Sequence, residues 1–301
     1  MKYALATLLV AVAFAAAPAT CAPPAVGVSQ QPMSPDEAKA LSARVIANQH
    51  QNDQLLDQYE RIEHTWIRAS AADKPVTQET LNRILPTGTG IMRLPLAAPD
   101  KPANPTAYRG QLEYLAKVLA LVAQPDATEH QTLERYRKRQ QERSDLVFGV
   151  ANAYRFSWLG REMRDGKPTV KLQMDPNPGF KPTNYTAQVL PHVRAVVWVD
   201  ESSAQVVHME AQVISDVWFG AGIVAKLYRG GRFVMDQAEV APGVWEPTRY
   251  QYDFDGRKFV FPFGDHETIE FSRYRRVGLP AEELQAVRNE LNTPSGDPPR
   301  P

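Results

Sequence analysis

Six histidines, at positions 50, 64, 130, 192, 208 and 266, and a single cysteine, Cys21, are the side chains of this 301-residue sequence best suited to hold a metal or attack a substrate. No two histidines have the HxH or HExxH spacing that presents two ligands on one side of an element, so no metal is expected. Asp265-His266-Glu267 is the one dense titratable cluster, and it follows Phe263-Gly264, where a turn is expected. An imidazole among carboxylates is the raw material of general acid–base hydrolysis. Neighbours on a strand point to opposite faces, however, so His266 and Glu267 do not readily share a substrate. A surface turn is the simpler reading, with a hydrolase centred on His266 and Glu267 as the alternative. No Gly-x-Ser-x-Gly elbow is present, and Pro86-Thr87-Gly88-Thr89-Gly90 lacks the Lys-Ser/Thr of a phosphate loop. These absences predict no catalytic residue and no cofactor, and shift the expectation from catalysis to binding. Trp66, Trp158, Trp198, Trp218 and Trp245 are candidates to line an apolar pocket.

Positioning such a pocket falls to residues 193–277, where about six segments alternate apolar and polar side chains. Val196, Trp198, Val206, His208, Phe233, Met235, Phe259, Phe261, Ile269 and Phe271 recur at spacing two, the period at which a strand shows one face. Gly230-Gly231 and Asp255-Gly256 separate segments and suit tight hairpins. An antiparallel sheet follows.

Upstream, Lys2, an apolar stretch from Ala4 to Ala17 and small residues up to Ala22 predict a signal peptide over 1–22 and export to the periplasm. Cys21 would carry a lipid anchor only under lipoprotein-type processing, which Pro18-Ala19-Thr20-Cys21 fits poorly. Residues 23–33 read as a flexible linker. Ser34-Pro35-Asp36-Glu37 then forms a capping box that starts a helix. Strands are expected over 58–69 and, around Pro86–Gly90, twice within 78–95. Tyr108, Leu112, Leu115, Leu119 and Val122 mark one helix face, packed on the sheet. A second helix beginning at Asp126 and Glu129 carries a solvated run of basic residues including Arg137 and Lys138. A hairpin around Asp165-Gly166 spans 146–175, and a short helix lies near 186–194. The domain is expected to span 34–285, with a helical insertion at about 105–145 and a disordered tail at 286–301. Thirty-four basic residues against 34 acidic ones exclude the positive field that nucleic-acid binding requires. Charges scattered among the strand aromatics argue against a membrane-inserted barrel.

Val196-Val197-Trp198-Val199-Asp200 followed by Gln205-Val206-Val207-His208-Met209-Glu210-Ala211 resembles the strand–loop–strand element of the LolA/LolB-like family of outer-membrane lipoprotein-sorting proteins, which includes the RseB/MucB-related sensors. Gly243-Val244-Trp245-Glu246-Pro247 and Ser272–Val277 resemble further parts of it. The resemblance covers about residues 34–279. It implies an α+β fold, a strongly curved antiparallel sheet forming an incomplete barrel with covering helices around an apolar cavity. It also implies a non-enzymatic protein binding a lipid, an acyl chain or a lipoprotein, with an envelope sensor or scaffold that binds a protein partner as the alternative. Alternation nominates Trp198, Met209, Leu227, Met235, Phe261 and Phe271 as cavity-lining.

Overall fold

The computed structural model describes residues 31–70, 73–96, 104–124, 130–182, 186–220 and 224–293. The expected signal peptide, residues 23–30 of the linker and the end of the tail lie outside the described residues. Helix α1 (Pro35–Leu56) begins with the capping box: Ser34 N donates to Glu37 Oε2 at 2.7 Å, and Glu37 N donates to Ser34 Oγ at 3.3 Å. The other described α-helices are α2 (Pro105–Ala123), α3 (His130–Ala153) and α4 (Pro280–Leu291), with a 3-10 helix at Thr186–His192.

The strands are β1 (Tyr59–Arg68), β2 (Val76–Pro86), β3 (Ile91–Pro95), β4 (Tyr154–Arg164), β5 (Lys167–Pro176), β6 (Val193–Asp200), β7 (Gln205–Val213), β8 (Val217–Phe219), β9 (Ala225–Leu227), β10 (Arg232–Ala241), β11 (Val244–Lys258) and β12 (Phe261–Arg276). They form one antiparallel sheet in the order β3-β2-β1-β12-β11-β10-β7-β6-β5-β4, with β8 and β9 attached beside β11. The two ends, β3 and β4, do not pair, so the sheet is open and the fold is α+β. The first strand lies against the last: Thr65 faces Ile269, and Glu63 faces Phe271.

Asp165-Gly166 and Gly230-Gly231 make turns as expected, whereas Asp255-Gly256 does not. Gly256 sits inside β11, where a Cβ would stand 2.5 Å from the Lys226 carbonyl oxygen of β9. Its missing side chain admits a neighbouring strand, a use of glycine that mimics a turn signal. The turn falls instead at Phe259-Val260, between paired Lys258 and Phe261. The expected hairpin from 146 starts later, because α3 stays helical through Ala153. Helix α4 runs past residue 285 to Leu291, so residues 286–291 are ordered helix rather than tail. Pro280 at its first turn, Glu282 and Glu283 beside it and Arg288 near its end supply the local signals.

Two hydrophobic cores lie on opposite faces. On what we call the front face, Val170, Leu172, Val197, Met209, Phe233 and Met235 pack with Leu41 of α1 and Ala153 of α3. On the back face, at the β1–β3 end, Leu85 and Leu94 pack with Tyr108, Leu112, Leu115 and Leu119 of α2 and with Leu284 and Val287 of α4. Alternation permits this because each strand offers both faces. Gly88, at φ +70, turns β2 into β3 beneath Val122 and Pro280.

A buried polar network crosses the back-face core. Arg83 Nη2 donates to Glu60 Oε2 at 2.7 Å, and its Nη1 donates to Tyr108 Oη at 2.7 Å and to Glu290 Oε2 at 2.8 Å. Arg275 Nε also reaches Glu60. Burial works against the Arg83 charge, but Glu60, Tyr108 and Glu290 hold its pKa above the ordinary value. Burial pushes the Tyr108 phenol up to about 12. Glu283 is 1 % exposed, and its Oε1 has no hydrogen-bond partner among the described residues. Burial, reinforced by Glu60, raises its carboxyl from 4.5 to about 8.

A carboxyl raised in the folded state binds a proton there that the unfolded chain has released. Its contribution to stability is therefore full below pH 4.5 and is lost as pH rises to about 8. Glu283→Gln is expected to stabilise the protein by roughly 1–3 kcal/mol at pH 8 and by little at pH 5. Urea unfolding at the two pH values checks this, and equal effects at both would contradict it.

Candidate functional site

The front face is built in rows by strand register. Val197 pairs with Met209, Met209 with Met235, Met235 with Tyr250, and Tyr250 with Ile269. In the next row Ala211, Phe233 and Tyr252 stand side by side. The aromatic rings touch: the centroids of Phe233 and Tyr252 are 5.2 Å apart, and those of Tyr250 and Phe271 are 5.5 Å apart. Such contacts add to the area each ring buries. Phe233, Phe254 and Met235 are fully buried, whereas Tyr250 and Phe271 are half-buried at the β12 side.

Beyond β12 the same face turns polar. Arg61 lies over the Phe271 ring at 5.4 Å, and its Nη1 is buried with no hydrogen-bond partner among the described residues. Next to it Glu63, also buried, takes two hydrogen bonds from Arg93, at 2.7 and 2.9 Å. Gln237, buried two residues after Met235, has both amide atoms without partners among the described residues. An apolar aromatic floor thus meets one buried cation, Arg61, and one buried amide, Gln237, chemistry that suits an amphiphile.

Of the six residues nominated by alternation, Met209, Leu227, Met235 and Phe271 come together in or against this core. Trp198 and Phe261 do not. Trp198 pairs with Lys171 and His208 on the back face, one residue out of phase with Val197. Its Nε1 donates to Glu162, and Lys171 sits 4.5 Å above its ring. Phe261 flanks the exposed β11–β12 turn. Among the described residues, Trp158 is the tryptophan packed against the front core. Tyr250, Tyr252 and Phe254 carry the same period-two signal and were there to be nominated; Arg61 has no signal in sequence.

The titratable cluster lies within β12, not in a turn. His266 is buried on the back face, with Nδ1 2.6 Å from Asp253 Oδ1 and Nε2 3.4 Å from Asp255 Oδ1. Glu267 points to the front face, opposite Tyr252 and Ile67. His266 Nε2 has no hydrogen-bond partner among the described residues. The back face holds a second such pair: His208 Nδ1 lies 2.5 Å from Asp236 Oδ1 and its Nε2 lies 3.3 Å from Glu210. Burial works against His208 protonation, but the hydrogen bonds to Asp236 and Glu210 outweigh it and raise the pKa. Arg164 and Arg249 approach the same Asp236 at 3.7 and 3.6 Å. Both clusters link neighbouring strands, His266 of β12 to Asp253 of β11 and His208 of β7 to Asp236 of β10.

No described helix is long and apolar enough to cross a membrane. No protein-family model matches the chain, and no curated protein does. Among solved structures it is similar to a DUF1329 family protein from Desulfovibrio piger, at 13% identity and a TM-score of 0.26 over 79% of this chain and 92% of that one. It is similar to a domain assigned as an outer membrane lipoprotein-sorting protein from Vibrio parahaemolyticus, at 12% identity and a TM-score of 0.29 over 84% of this chain and 100% of that one. A LolA superfamily protein from Nitrosomonas europaea is similar at 11% identity and a TM-score of 0.31, over 82% of this chain and 96% of that one.

Proposed function

We propose that this protein is a non-enzymatic, periplasmic binder of an acyl-bearing amphiphile, a lipid or a lipoprotein, held on the front face. The observation that carries the reading is the passage from the aromatic floor at Tyr250 and Phe271 to the buried Arg61 cation. Acyl carbons gain about 0.8 kcal/mol per buried CH₂, so a chain of ordinary length needs no catalytic group to bind. A polar or anionic head completes the unmet hydrogen bonding of Arg61.

Charge on the floor tests this. In the full chain, Phe271→Glu is expected to cut uptake of a fluorescent fatty acid by about ten-fold or more, since a carboxylate facing the acyl chain is costly to desolvate. The ring is half-buried, so the variant keeps its circular dichroism spectrum. Unchanged uptake in that folded variant would sink the site.

A second reading has its own observation. Phe233, Phe254 and Met235 are sealed beneath the helices, which suits a filled scaffold or sensor that binds a protein partner. Native mass spectrometry separates the two: a lipid bound one-to-one to the wild-type chain supports the binder, and a bare mass that also ignores added fatty acid supports the scaffold.

A further inference from the structure

The β11–β12 turn carries large apolar residues in water. Phe259 is 49%, Val260 81% and Phe261 71% exposed. Trp218 of β8, 50% exposed, and half-exposed Val224 and Tyr228 lie on the adjoining β8–β9 hairpin. The two hairpins are joined: Phe259 N donates to the Val224 carbonyl at 2.9 Å, and Lys258 pairs with Ala225. The result is one apolar prow rather than scattered side chains.

The turn's own chemistry points the same way. Phe259 is the first of two central hairpin residues and has φ +53. Glycine or asparagine suits that position, and a bulky aromatic there is uncommon. Neither backbone preference nor burial explains a phenylalanine at this site, so its use lies outside the fold.

Charge names the occupant. The β11 residues next to the turn are Arg257 and Lys258, with Lys226 held 4.1 Å over the Trp218 ring and Arg229 nearby. Lys226 is paired with Asp216 at 2.5 Å, and Arg257 Nη1 donates to the Phe259 carbonyl at 2.6 Å, which holds that guanidinium at the turn; Asp255, beside His266, and Asp265, opposite Phe254, lie further back. Apolar residues at the extreme tip with cations directly behind match the layering of an anionic bilayer, acyl boundary inside and phosphates outside.

We propose that this prow docks the protein on an anionic phospholipid surface, with Phe259, Val260 and Phe261 entering the headgroup–acyl boundary and Arg257 and Lys258 resting on phosphates. The site is separate from the front-face floor, so either assignment can fail alone.

The full chain is sedimented with phosphatidylglycerol–phosphatidylethanolamine vesicles and, in parallel, with pure phosphatidylcholine vesicles. Wild type is expected to partition onto the anionic vesicles and to leave them as salt rises. Val260→Asp/Phe261→Ser is expected to partition about five-fold less or weaker still, and Lys258→Glu to lose most of the salt-sensitive part. Val260, Phe261 and Lys258 are exposed, so these two variants keep the wild-type urea midpoint. Phe271→Glu binds vesicles as wild type does. Wild-type protein left in the supernatant would overturn the proposal and point to a protein partner for the prow, and equal partitioning of wild type and Val260→Asp/Phe261→Ser would overturn it outright.

Discussion

Arg83→Ala is expected to lower the stability of this protein by about 3–5 kcal/mol, because removing one partner of a buried ion pair strands the other. Glu60, already buried, would keep only Arg275, and Tyr108 and Glu290 would lose the cation they share. The effect spreads to Glu283, where Arg83 offsets part of the rise that burial and the charge of Glu60 impose on the carboxyl. Guanidinium unfolding reads the loss directly. Arg83→Met with Glu60→Leu, which removes both charges and fills the space, is expected to be far less harmful than Arg83→Ala alone. A single-variant loss under about 1 kcal/mol would mean that water or another group takes over the role of Arg83.

Phe233→Ala is the second large effect, at about 3–5 kcal/mol, from lost transfer energy and the cavity left behind. The ring is 0% exposed and touches Tyr250 and Tyr252 at 5.7 and 5.2 Å. Phe261→Ala provides the contrast: the same deletion on an exposed ring is expected to change stability by under about 0.5 kcal/mol. The difference between two phenylalanines that period-two alternation treats alike measures which face the helices cover. Similar losses from both would place Phe261 in the core and undo the prow.

Those two residues also show where legibility ends. Period-two spacing, the Ser34 capping box and the Asp165-Gly166 turn are local signals, and each appears where the residues put it. The face that a strand buries depends on what lies across it, and no residue within the strand reports this. Trp198 is large and apolar yet lies on the back face, because the front core that includes Leu41 of α1 and Ala153 of α3 takes in Val197 instead. Gly256 imitates a turn because close approach and positive φ both call for glycine. Helix α4 has a short apolar stripe, Leu284, Val287 and Leu291, which acquires meaning once α2 is beside it. Arg61 is illegible for a further reason. Its place over Phe271 joins residues from opposite ends of the chain.

That last junction sets a clock. Glu60 and Arg275 meet across 215 positions, so β1 waits for almost the whole chain before its partner exists. At synthesis rates of about 5–20 residues per second, that delay is on the order of 10–40 s. Throughout it, the edges of β1 and β2 have only each other and β3, a condition prone to wrong pairings. Long-range pairing of this kind also slows folding after release. The chain's ends must be brought together before either core is complete, and a truncation before β12 would leave the N-terminal strands with no sheet to join.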